Sequence, residues 1–296
     1  MRVTLLGTGC PQVSTDRYGP ASLLRCSDRH YLVDCGSGVT QRLLAAGSSG
    51  KLIDAVLLTH LHSDHIVDLF QLIISSWHQG RDRPQRIYGP AGTRQYLKGL
   101  MALWQPELTQ RIAHEKRPST TALELEITEV EPGAIIHDGD LTVIAVPVRH
   151  QPVKAAFGYV FTDGQHKVAF SGDTAFCPEL IQAAKDADAL VHECFIHREM
   201  LALPGRSPET LANVASYHTL STEVGKVADQ AHVGCLILNH FVPVVFDHAA
   251  LLADIRTDYA GPILIGEDLM EYDSDHRTLR HAGSTIGLPL SFRGKT

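Results

Sequence analysis

The chain predicts an α/β fold, and three observations carry that reading. Short apolar runs bounded by turn residues recur along all 296 residues. Stretches of helical spacing lie between them. Histidine and aspartate keep falling at the ends of the runs, where open α/β sheets gather their ligands.

Residues 3–6, 22–25 and 30–33 read as strands of a first sheet. Residues 38–46 read as a short helix ending at Gly47, where glycine suits a left-handed cap. The run 55–58 is a buried strand. From Asp64 to about Trp77 the apolar positions Ile66, Leu69, Phe70, Ile73 and Ile74 follow helical spacing. Residues 94–104 are a second helix, and the polar, proline-flanked stretch within 101–122 is expected as a lid or arm. The second half repeats the theme. It has strands at 141–148, 156–161, 168–170, 190–191 and 236–238, with helices at 178–187 and 222–232. The pattern gives one domain, 1–296, of two similar halves.

Hydrophobic content of 44% and charged content of 20% fit a soluble globular enzyme. No apolar stretch approaches the ~20 residues of a membrane helix, and the opening residues read as a strand and turn rather than a signal peptide. A cytoplasmic location is expected, with no membrane partner, and a homodimer is left open. The net charge of −7 argues against nucleic acid, because phosphate contacts require basic clusters. The densest basic patch, 81–86, is short and mixed. The six cysteines are widely spaced without a C-x-x-C pair, so a disulfide framework is not expected. Cys35 and Cys194 flank motif residues and could lie near a metal.

The most informative stretch is His60-Leu61-His62-Ser63-Asp64-His65. Neutral imidazole and carboxylate are the donors that zinc and similar metals prefer. On an extended segment His60 and His62 point the same way, so one ion can take both. Asp64 and His65 then turn towards a second position. Four donors are too many for one open catalytic ion with more ligands to come, so the spacing suggests two metals. A helix starting here also points its positive end at the site. Further donors end other apolar runs: His150 after 141–148, Asp173 after 167–170, and His240 after 235–238. Asp34 ends the strand 30–33.

The pattern H-x-H-x-D-H resembles the signature of the metallo-β-lactamase superfamily, over roughly residues 1–270. The resemblance implies a four-layer αββα sandwich with the site at one edge. It implies that His60, His62 and His150 bind one divalent ion and that Asp64, His65 and His240 bind a second. Asp173 would bridge them, and Asp34 would fix the tautomer of a ligating imidazole. Zinc is the expected metal, with manganese or iron as alternatives. A hydroxide activated between the ions would be the nucleophile, with Asp64 able to accept its proton.

Tyr217-His218-Thr219-Leu220-Ser221-Thr222 and His192-Glu193 resemble loops of the ribonuclease Z-like branch, although the spacing after His218 and the Cys194-Phe195 pair depart from it. By that resemblance His218 would donate a proton or contact the leaving group, and Glu193 would orient it. One feature departs further. Ribonuclease Z carries a tRNA-gripping arm between its third and fourth metal motifs, whereas only 22 residues separate His150 from Asp173. The segment 238–243 is also similar to arylsulfatase and phosphodiesterase relatives. The expected activity is therefore hydrolysis of small phosphodiesters or aryl sulfate esters. The alternatives are tRNA 3′ processing, lactone or amide hydrolysis, and a non-hydrolytic metal-binding protein.

Overall fold

The computed structural model describes residues 1–201 and 205–289. Six strands open the chain: β1 (Arg2–Gly7), β2 (Ala21–Cys26), β3 (Arg29–Val33), β4 (Ala55–Leu57), β5 (Gln85–Gly89) and β6 (Leu125–Glu129). Seven build a second sheet: β7 (Gly133–Asp138), β8 (Leu141–Pro147), β9 (Phe157–Thr162), β10 (Lys167–Phe170), β11 (Ala189–Phe195), β12 (Leu236–Val242) and β13 (Ile263–Ile265). The chain then returns to the first sheet as β14 (Glu271–Asp273), β15 (Thr278–His281) and β16 (Ser284–Gly287), with β14 antiparallel to β1.

The helices of the first half are α1 (Val39–Ala45), α2 (Ser63–Ile66), α3 (Leu69–His78) and α4 (Thr93–Glu115). Those of the second are α5 (Pro178–Ala183), α6 (His197–Leu201), α7 (Pro208–Ala215), α8 (Ser221–Gln230) and α9 (His248–Arg256).

Buried side chains sort these elements into four layers. Val3, Tyr31 and Leu57 of the first sheet meet Val143, Tyr159, Phe161 and Ile237 of the second in one central core. Strand alternation sends the next residues outwards. Leu23, Leu32 and Val56 pack under Val39, Leu69 and Leu97 of α1, α3 and α4. Leu190, Leu236 and Leu238 pack under Val224, Val227 and Leu251 of α8 and α9. The αββα order expected from the resemblance is present. Burying each large apolar side chain contributes ~1.5–3 kcal/mol before entropy is counted.

Three local outcomes differ from the sequence reading. The helix expected over 64–77 breaks into α2 and α3 at Val67–Asp68, and the Asp68 carboxylate accepts from Thr40 N at 2.9 Å and Thr40 Oγ1 at 2.8 Å. The helix expected over 178–187 stops at Ala183. Residues 101–115, expected within a lid or arm, continue α4 past Pro106. A proline inside a helix removes one hydrogen bond. Here the Trp104 ring stacks on Phe70 at 4.3 Å, and Arg111 pairs with Glu107 and Glu115 one turn either side. These contacts hold the helix through the break. Gly47 has φ 68° after α1, as the cap requires.

Candidate metal centre

The donors meet at one edge of the sandwich, beyond the ends of β3, β4, β8 and β10 and within the last residues of β12. His60, His62, His150 and Asp173 each present a ligand atom, all within 4.8 Å of one another. Asp64, His65 and His240 form a second such group. Asp173, His218 and His240 form a third. Asp173 therefore faces both halves of the cluster. Its Oδ2 lies 3.8 Å from His60 Nε2 and 3.4 Å from His240 Nε2, while its Oδ1 lies 3.5 Å from His65 Nε2.

Backbone geometry aims two of these side chains. Where β12 pairs with β11, the register slips by one residue and His240 is the extra one. A bulge re-aims a side chain, and His240 sits at φ 43°, a left-handed conformation rare for a residue with a Cβ. Gly172 precedes Asp173 with φ 59°, and a Cβ there would meet Phe157 O and Thr59 Cβ at 2.9 Å.

Hydrogen bonds settle which nitrogen is free in three of the imidazoles. The Thr59 hydroxyl donates to Asp34 at 2.9 Å, so its oxygen accepts from His60 Nδ1–H at 3.0 Å. His65 Nδ1 donates to Asp34 Oδ2 at 2.9 Å. His150 Nδ1 donates to the Tyr217 carbonyl at 2.9 Å. In all three rings the bare Nε2 turns inward. His60 Nε2 and His65 Nε2 are buried with no hydrogen-bond partner. Leaving a buried polar nitrogen unpaired costs ~1–3 kcal/mol. A cation among these atoms removes that cost, so the residues fit the divalent ions the resemblance implies.

The charges agree. Burial drives His60 well below the ordinary imidazole range, helped by His65, and holds His150 at about 4. Both stay neutral, as ligands must be. Burial would raise Asp173, but His240, His65 and His60 outweigh it and keep the carboxylate ionised. Burial would likewise raise Asp64, and the His240 hydrogen bond and the His65 charge overcome it.

His218 lies behind Asp173. Its Nδ1 is 2.8 Å from Glu193 Oε1, which also accepts from Thr174 N at 2.7 Å. Burial alone would lower the His218 pKa, but the Glu193 charge and hydrogen bond raise it to about 8. His218 and the donors His62, Asp64, Asp173 and His240 line one cavity of about 370 Å³. A wider groove of about 700 Å³ runs from Asp64 along residues 10–19.

The residues expected as ligands, their support and the acid thus converge here: His60, His62, Asp64, His65, His150, Asp173, His240, Asp34, His218 and Glu193. The sequence reading missed Thr59, which relays Asp34 to His60, and Tyr217, whose carbonyl fixes His150. Thr59 sits beside the histidine motif and could have been noticed. A backbone carbonyl leaves no trace in sequence. Cys35 and Cys194 are buried outside the donor groups. The six thiols are free, and no helix among the described residues is long and apolar enough to cross a membrane.

Comparison with known proteins agrees with this architecture. Residues 1–204 match the family described as Anti-Pycsar protein Apyc1. A ribonuclease Z of Mycobacterium sp. (strain KMS) is 37% identical over 292 residues, covering 97% of this chain and 98% of its own. The metallo-β-lactamase fold protein YhfI from Bacillus subtilis superposes with a TM-score of 0.70 at 24% identity, over 92% of this chain and 98% of its own. The short form of human tRNase Z superposes with a TM-score of 0.70 at 21% identity, over 92% and 99%. On these matches the chain belongs to the Apyc1 family and to the ribonuclease Z-like branch of the metallo-β-lactamase superfamily, and is a metal-dependent hydrolase acting on ester bonds.

Proposed function

We propose that the protein hydrolyses small phosphodiesters, with aryl sulfate esters as a chemically related class. The cavity of about 370 Å³ shared by the donors and His218 carries this reading. It has room for one nucleoside-sized or aryl group beside a tetrahedral anion. His60, His62 and His150 would hold one divalent ion, Asp64, His65 and His240 another, with Asp173 between them and zinc the metal expected. Two such ions would supply an activated water and neutralise charge growing on the phosphoryl oxygens. Asp64 would take the proton of that water. Asp34 holds His65 directly and His60 through Thr59. His218, oriented by Glu193, would give its Nε2 proton to the leaving oxygen as the P–O bond breaks.

A second reading, tRNA 3′ processing, is favoured by the name of the 37% identical relative. The hairpin β9–β10 fills the interval between His150 and Asp173, where an arm would project. That relative is matched over 98% of its own length, so a large insertion does not separate the two chains. The charge of −7 still favours the small ester. The test is kcat/KM for bis-p-nitrophenyl phosphate, p-nitrophenyl sulfate and a precursor tRNA at one salt concentration. Small-ester turnover exceeding that of tRNA is expected. Site-specific tRNA cleavage at higher kcat/KM would replace this reading with the second.

A further inference from the structure

The cavity beside His218 has two unlike sides. One carries the donors. The other is apolar, built from Met200 of α6, Val214 of α7 and Val242 of β12. Arg206 lies between α6 and α7 and completes the lining. Arg206 is exposed, and among the described residues its one polar contact is weak: Nη1 lies 3.7 Å from Met200 Sδ. Among the described residues no carboxylate comes within the 4.0 Å of an ion pair with it. The chain has more acidic than basic residues, 33 against 26, and its other cavity-facing charges are the donors and His218. An unpaired guanidinium on the wall of an ester-binding cavity is a ready partner for an anion, since its fork matches carboxylate and phosphate oxygens.

The side on which Arg206 lies decides what it would read. His218 lines this cavity, and its Nδ1 is taken by Glu193. Its Nε2 is thus the atom left to meet the leaving oxygen, and the leaving group must lie here. The groove along residues 10–19 is left for the retained half of the ester. Resting on the phosphodiesterase reading above, we infer that this cavity is the leaving-group subsite and that Arg206 selects a leaving group carrying its own negative charge. The planar body of such a group lies on the Met200–Val214–Val242 wall, and its anion reaches Arg206.

The test uses two diesters that differ only there: methyl 4-nitrophenyl phosphate and methyl 3-carboxy-4-nitrophenyl phosphate. Each kcat/KM is divided by the uncatalysed rate, and the ratio of the two is compared between the parent and Arg206→Gln. A hydrogen-bonded charge pair contributes ~1.5–3 kcal/mol, so the carboxylated ester should lose about 10–100-fold more than its partner. Arg206→Lys should restore part of the ratio. Calorimetry with the free phenols provides a readout that needs no turnover. The parent should bind 3-carboxy-4-nitrophenol more tightly than 4-nitrophenol, and Arg206→Gln should lose that preference. An unchanged ratio, or a parent that binds both phenols equally, overturns the assignment. Preferential binding with no hydrolysis of either diester would instead overturn the phosphodiesterase reading and leave the anion subsite standing.

Discussion

The two oxygens of Glu193 hold Nδ1 of His218 at 2.8 and 2.9 Å. A fully buried carboxylate beside an imidazole favours the imidazolium, and the His218 pKa rises to about 8 from an ordinary 6.5. The ring also stacks on Phe195, with 8° between planes. It is thereby oriented, charged at neutral pH, and open to the cavity through Nε2.

That pair sets a pH dependence. A raised pKa means the proton is present below about 8 and lost above it. If His218 is the acid, kcat should fall on the alkaline side with a limb near 8. Glu193→Gln removes the charge that raises it, so the limb should move to lower pH. Profiles of kcat against pH for both proteins check this. A limb that stays in place in the variant contradicts the pairing.

His218→Ala should lower kcat by about 10²–10⁴-fold while metal content is unchanged, the usual loss for a positioned acid or base. Elemental analysis of the variant decides the matter. The distance of His218 Nδ1 from Asp173 Oδ2, 4.0 Å, is too long for a hydrogen bond. Loss of metal would make His218 a ligand and redraw the centre.

Much of this centre was legible because metal chemistry restricts residue type and strand ends restrict position. His60 to His65, His150, Asp173 and His240 each follow an apolar run in the sequence. The layer order came from the resemblance, since alternating elements alone give only α/β. Other features were hidden for physical reasons. The bulge that re-aims His240 belongs to the pairing of two strands, and neither strand encodes it alone. The return of β14 to pair with β1 is a contact between Arg2 and Asp273, nearly the whole chain apart. Pro106 reads as a helix stop, and only the stacking of Trp104 on Phe70 explains why α4 runs through it. The short gap between His150 and Asp173 was visible, but it does not distinguish this chain from a relative of matching length.

Asp34→Asn tests the support beneath the donors. One carboxylate receives Thr59 N at 2.8 Å, the Thr59 hydroxyl and His65 Nδ1. Asparagine tolerates the φ of 63° found there, so the fold should persist. Replacing one carboxylate oxygen with an amide disturbs the tautomers of His65 and His60 together. Metal affinity should fall about 10–100-fold, read by competition with a chromogenic chelator. Unchanged affinity would make Asp34 a turn residue only.

Asp64→Ala should abolish turnover with the circular dichroism spectrum preserved. Asp64 Oδ2 faces His240 Nε2 at 3.3 Å and His65 Nε2 at 3.6 Å, at the mouth shared by the cavity and the groove. It would serve both as ligand and as proton acceptor. Activity retained within tenfold would place the attacking water elsewhere.

The central claim is that ester hydrolysis depends on two ions bridged by Asp173. Titrating metal-free protein with zinc, while following bis-p-nitrophenyl phosphate hydrolysis, tests it most directly. Activity should be absent at the start and rise to a plateau as two equivalents per chain bind. Asp173→Ala should show no such rise. Full hydrolysis by the metal-free protein, or a plateau unaffected by loss of Asp173, would contradict the account.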